Sequence, residues 1–138
     1  MPRVEGVLET ALFVEDLGPA VEFYQKIFGF EMIAEAPGRL VALSVADSQV
    51  LLLGKKGASR EATETPGGTI PPCDGDGQGH LAFSIPLTEL ETWEKWLSEQ
   101  GVEIESKVNW EQGGTSLYFR DPDGHLLELG TPGLWSIY

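Results

Sequence analysis

One order of elements occurs twice along this chain, and that repetition restricts the fold more than any single motif does. The apolar run at 7–14 (VLETALFV) ends in EDLGP, which reads as a strand followed by a helix start. Asp16 supplies an N-cap, and Pro19 suits a first helical turn because its missing N–H needs no partner there. Leu17, Ala20, Val21, Tyr24, Ile27 and Phe28 then keep the i, i+3, i+4, i+7 rhythm of an amphipathic helix that stops at Gly29. Three short strands follow at 30–36, 39–46 and 49–54, separated by Pro37-Gly38 and Asp47-Ser48. The series returns with a strand at 80–85 and a helix carrying Leu87, Leu90, Trp93, Trp96 and Leu97, closed at Gly101. VEIESKVNW, TSLYFR and HLLELG supply three more strands, and Asp121-Pro122-Asp123-Gly124 turns the chain before the last. Each half reads βαβββ, which predicts an α+β fold whose two modules pair into one curved sheet.

Between the halves, residues 55–78 are polar, rich in Gly, Pro and Thr, and without periodicity. They read as a linker or long surface loop. The expected organisation is therefore one domain over 1–138, with a first module at 1–54, the loop at 55–78, and a second module with a C-terminal tail at 79–138.

Charge narrows the partners. Nine basic residues against twenty-two acidic ones leave a formal net charge of −13. That balance excludes a nucleic-acid binder, which needs Lys and Arg at phosphates, and disfavours anionic membrane surfaces. The N-terminus lacks the uninterrupted apolar core of a signal peptide, and no window has the length and apolarity of a membrane span. The single cysteine, Cys73, cannot form an internal disulfide, so a reducing cytoplasm is the expected location.

Strand alternation sorts the ionisable residues by face. Leu8, Thr10, Leu12 and Val14 share one face of the first strand, and Glu9, Ala11 and Phe13 the other. By the same logic His80 and Glu128 point away from the bulkier apolar faces of their strands. Three ionisable side chains on the concave side are expensive to desolvate unless they share something. One imidazole and two carboxylates suit a divalent cation, Mn²⁺, Fe²⁺, Ni²⁺, Co²⁺ or Zn²⁺. On pattern alone a plainer reading stands beside this one: a solvated Glu9, an edge His80 and a surface Glu128.

The segment ETALFVEDLGPAVEFYQKIFGFE resembles the opening of the vicinal oxygen chelate superfamily, which includes glyoxalase I, fosfomycin resistance proteins, extradiol dioxygenases and bleomycin resistance proteins. GHLAFSIP and SLYFRDPDGHLLELGTP resemble the start and end of its second repeat. The resemblance implies paired βαβββ modules forming a U-shaped, partly open mixed sheet barrel around a metal, with helices on the outer face. It places metal ligands at Glu9, seven residues before Asp16, at His80 and at Glu128. The family's commonest residue at the first of these positions is histidine. A fourth position, used by glyoxalase I, falls on Leu52, so a three-ligand site is expected rather than a standard glyoxalase I. Tyr118 has the spacing of a substrate-facing tyrosine in fosfomycin resistance proteins, where Lys107 and Asn109 match anion-contacting positions weakly. Glu9 or Glu128 doubles as a candidate general base when substrate displaces it from the metal. His125, Arg39, Trp93 and Trp96 read as structural residues, Cys73 has no basic neighbour to activate it, and Trp135 belongs to a tail that folds back onto the sheet or a partner chain.

Two functions from different classes follow. The first is a metal-dependent enzyme (a lyase, thiol transferase or dioxygenase) acting on a small molecule whose adjacent oxygens bind the cation. The second is a metal-free protein of the bleomycin-resistance type that sequesters a ligand, for which an acidic chain favours cationic drugs. The three converging ligands favour the enzyme. Open sheet edges add the expectation of a homodimer, with modules side by side within a chain or exchanged between chains.

Overall fold

The computed structural model describes residues 1–138, which divide into two units, Met1–Gly77 and Gln78–Tyr138. In the first, β1 (Glu9–Val14) leads into α1 (Leu17–Phe28), then β2 (Met32–Ala36), β3 (Leu40–Val45) and β4 (Gln49–Lys55). The helix begins where expected: the Gly18 N–H donates to Asp16 Oδ1 at 3.0 Å. It ends on Gly29 in the left-handed conformation (φ 70°), with the Gly29 N–H returning to the Gln25 carbonyl. The sheet order is β1-β4-β3-β2, parallel between β1 and β4 and antiparallel elsewhere. Leu12, Val14, Val41, Leu43, Leu51 and Leu53 form its buried face, and α1 packs on β4 and β3 with Ala20, Tyr24 and Ile27 inward. Each leucine fully buried there contributes about 2 kcal/mol. The opposite face carries Glu9, Ala11 and Leu52.

Residues 55–78 depart from the expected loop. They contain a small hairpin, β5 (Thr63–Thr65) and β6 (Gly68–Ile70), and they are tied back to their own unit. The Gly57 N–H donates to the Asp74 carboxylate, Arg60 pairs with that carboxylate at 3.3 Å, and the Arg39 guanidinium donates to the Thr63 hydroxyl. Three-residue strands with mostly exposed side chains leave no alternation to read, so nothing in the sequence pattern signals the hairpin.

The second unit repeats the first. β7 (His80–Ser84) is followed by a 3₁₀ turn (Leu87–Glu89) and α2 (Leu90–Glu99), then β8 (Ser106–Asn109), β9 (Thr115–Arg120) and β10 (Leu126–Gly130). The expected strand at VEIESKVNW shrinks to its second half. Sheet order is β7-β10-β9-β8, again with one parallel pair, β7 with β10. Leu117, Phe119, Leu127 and Leu129 are fully buried on one face. Both units are βαβββ with four-stranded mixed sheets, and neither sheet closes into a barrel. No helix is long and apolar enough to cross a membrane.

Strand register carries the internal repeat down to single residues. Ala11 is paired with Leu52, and Leu52 with Ala42; Ala82 is paired with Glu128, and Glu128 with Tyr118. Leu52 therefore occupies in the first sheet the place of Glu128 in the second. Glu9, opening β1 beside Val50, corresponds to His80, opening β7 beside Leu126.

Candidate metal centre

Strand pairing puts His80, Ser116, Tyr118 and Glu128 on one face of the second sheet, opposite its leucine core. His80 Nε2 and Glu128 Oε2 stand 3.2 Å apart. Each is held from behind. His80 Nδ1 lies 3.0 Å from the Leu126 carbonyl, which only accepts, so Nδ1 carries the hydrogen. The Ser116 hydroxyl donates to Glu128 Oε1 at 2.5 Å, and the Trp110 indole N–H donates to Ser116 Oγ at 2.9 Å. Glu128 is only 5% exposed, a costly place for a carboxylate without partners.

His80, Trp110, Tyr118 and Glu128 line a cavity of about 350 Å³, walled further by Leu134 and Trp135. The tail that supplies the last two is seated by its own bonds. The Tyr138 hydroxyl lies 3.1 Å from the Ile85 carbonyl and 3.0 Å from that of Gly130, and its one hydrogen is shared between them. Gly133 (φ 106°) crosses the Gly113–Gly114 turn so closely that a Cβ would come within 2.9 Å of that backbone. The tail thus folds back onto its own unit, with Trp135 left exposed at the cavity rim. A larger groove, about 450 Å³, lies beside α1 but offers only Glu22 and Glu35 as titratable lining groups.

Tyr118 sits 6.4 Å from His80, ring centre to ring centre. Burial pushes its phenol above the usual tyrosine value; a hydrogen bond with Ser116 opposes this, and the Glu128 carboxylate adds to it. Tyr118 is therefore a neutral hydrogen-bonding group at neutral pH, not a phenolate.

The donor set fits a divalent cation. An imidazole nitrogen and a carboxylate oxygen suit first-row metals. Their 3.2 Å separation is near the ~3 Å expected between adjacent ligands whose bonds to one ion are about 2.1 Å. Both donors also have the outer partners that orient metal ligands, a carbonyl on the imidazole and a hydroxyl on the carboxylate.

Of the three ligands read from the sequence, two come together. Glu9 is exposed at the start of β1 in the first unit, and no group of three His, Cys, Asp or Glu side chains converges within the chain. His125 is buried and serves the backbone instead. Its Nδ1 accepts the Gly79 N–H at 2.7 Å, which fixes the entry to β7 and so the place of His80. Lys107 pairs with Glu94 of α2 at 2.7 Å, and Asn109 Oδ1 accepts the Thr115 hydroxyl. Arg39 serves the 55–78 segment through Thr63. Trp110 and Ser116 adjoin the pair through hydrogen bonds, and the sequence pattern did not single them out. Alternation places Ser116 on the face of Tyr118, but nothing local reveals that it touches Glu128.

Residues 6–129 match the family model described as the Glyoxalase/Bleomycin resistance protein/Dioxygenase superfamily. The chain is 34% identical to a metallothiol transferase FosB of Shouchella clausii, over 93% of this chain and 81% of that protein. Among solved structures, it is similar to a lactoylglutathione lyase from Agrobacterium tumefaciens, with 33% identity, a TM-score of 0.89, and 98% and 99% of the two chains covered. The fosfomycin resistance protein FosX from Listeria monocytogenes matches with a TM-score of 0.69 and 26% identity, over 96% and 97% of the two chains. With the family model spanning most of its length, and the same repeated βαβββ architecture, this chain belongs to the glyoxalase/bleomycin resistance protein/dioxygenase superfamily, the vicinal oxygen chelate superfamily.

Proposed function

We propose that this protein is a metal-dependent enzyme that acts on a small molecule through two neighbouring oxygens, using a divalent cation held by Glu9, His80 and Glu128. The observation that carries the reading is the His80–Glu128 pair, 3.2 Å apart and braced from behind on both sides. When bound, the cation supplies Lewis acidity toward the substrate's oxygens. His80 and Glu128 present their free donor atoms to one point. Tyr118 offers a protonated phenol at the cavity wall, suited to hydrogen-bond a substrate oxygen. Trp110, Leu134 and Trp135 restrict water. Thiol transfer or a lyase reaction is the class that the relatives favour, and fosfomycin with a small thiol is the first substrate pair to assay.

Glu9 is the third ligand, contributed when two copies pair into a homodimer. It stands exposed on edge strand β1, in the place His80 holds on edge strand β7, and edge strands are usually covered.

Two measurements test this. Protein stripped by a chelator and titrated with Mn²⁺, Fe²⁺, Co²⁺, Ni²⁺ or Zn²⁺ should bind about one ion per chain; no saturable binding of any of them overturns the metal centre. Light scattering behind size exclusion should give twice the 15.0 kDa chain mass. A monomer at micromolar concentration overturns the shared site.

A further inference from the structure

We propose that Trp110 and Ser116 are positioning residues that form a two-step hydrogen-bond relay aiming the Glu128 carboxylate at His80. The proposal rests on the metal-binding reading above and names residues that reading does not use as ligands. A serine hydroxyl is a free rotor with one hydrogen and two lone pairs, so its direction must be set from outside. The indole N–H only donates. At 2.9 Å it occupies a lone pair of Ser116 Oγ, and the hydroxyl hydrogen is left for Glu128 Oε1, which accepts it at 2.5 Å. With Oε1 engaged, Oε2 is the oxygen that faces His80. Ser116 is 0% exposed, so bulk water cannot replace either bond. Tyr118, two residues along on the same face and paired with Glu128, lines the same cavity and closes the group.

The internal repeat supplies an independent observation. Ser116 is paired with Gly130 as Leu40 is paired with Gly54, and Glu128 stands where Leu52 does. The first unit therefore has leucine at both positions. The hydroxyl is present only in the sheet that has the carboxylate, although a leucine serves that position in the same fold.

Calorimetric titration of the metal-free, full-length protein with Mn²⁺ tests the relay. Ser116→Ala should weaken binding about 10- to 100-fold, the usual effect of losing an outer partner of a ligand. Trp110→Phe, which keeps a ring in the cavity wall, should weaken it about 2- to 10-fold. Because the two bonds act in series, the double variant should bind no more weakly than Ser116→Ala alone. Additive losses, or wild-type affinity in Ser116→Ala, overturn the proposal. A second readout needs no metal: the Trp110 indole N–H resonance, assigned by its loss in Trp110→Phe, should move and exchange faster with water in Ser116→Ala. An unmoved resonance overturns the relay. If the wild-type protein binds no Mn²⁺, the titration is run with whichever of Fe²⁺, Co²⁺, Ni²⁺ or Zn²⁺ it binds; if it binds none of the five, the metal reading of the pair fails, and the indole resonance alone decides whether the relay exists.

Discussion

His80→Ala and Glu128→Gln should each lower divalent-metal affinity by more than about 100-fold, beyond the range reached by removing a mere outer partner, with little change in thermal stability. His80 is half exposed at the start of an edge strand, so its truncation leaves no cavity. Glutamine keeps the shape of Glu128 and still accepts the Ser116 hydroxyl, while losing the charge that a cation requires. A surface substitution such as His80→Ala stays within about 0.5 kcal/mol of the parent, and Glu128→Gln orphans no buried group. Calorimetry and thermal unfolding of the metal-free variants make the comparison. Retained affinity in either variant would move the metal elsewhere. A collapse in melting temperature would show that the pair is structural.

The second large effect is a missing activity. Supplied with any of Mn²⁺, Fe²⁺, Co²⁺, Ni²⁺ or Zn²⁺, the protein should convert the methylglyoxal–glutathione hemithioacetal at least about 100-fold more slowly than an enzyme with a complete acid–base set, the lower end of what a positioned base supplies. The reason is one side chain. In glyoxalase I a glutamate at the end of the first repeat is both ligand and proton-transfer base. Here strand register puts Leu52 at that position, directly equivalent to Glu128, and leucine has no lone pair. Architecture is shared across the superfamily, but chemistry resides in the few side chains on the inner face. Robust turnover would show that another base has taken over. Glu9 is the candidate, and Glu9→Gln should then abolish the activity.

Much of the fold is legible in the sequence, because the governing forces are local or periodic. The Asp16 cap and the Gly29 stop depend on residues within one helical turn. The faces of β1 and β10 follow from two-residue alternation, which separates Glu9 from Leu12 and Glu128 from Leu127. The order βαβββ, read twice, is enough for the fold of each unit. The β5–β6 hairpin is not legible, since three mostly exposed residues per strand carry no periodic signal. Nor is the shortening of the strand before Trp110.

Sequence by itself determined which residue types alternate onto which face, and therefore that His80 and Glu128 share a side while His125 does not; that Tyr118 joins them is a matter of strand register. Tertiary structure alone decided what those side chains touch. Ser116 reaches Glu128 because β9 and β10 pair in one register, a one-residue slip of which would turn it to the other face. Trp110 reaches Ser116 across the turn that ends at Gly114, and Trp135 reaches the cavity because Gly133 lets the tail cross that turn. Alternation is a property of one strand, whereas a hydrogen bond between strands requires the cooperative pairing that only the folded sheet provides.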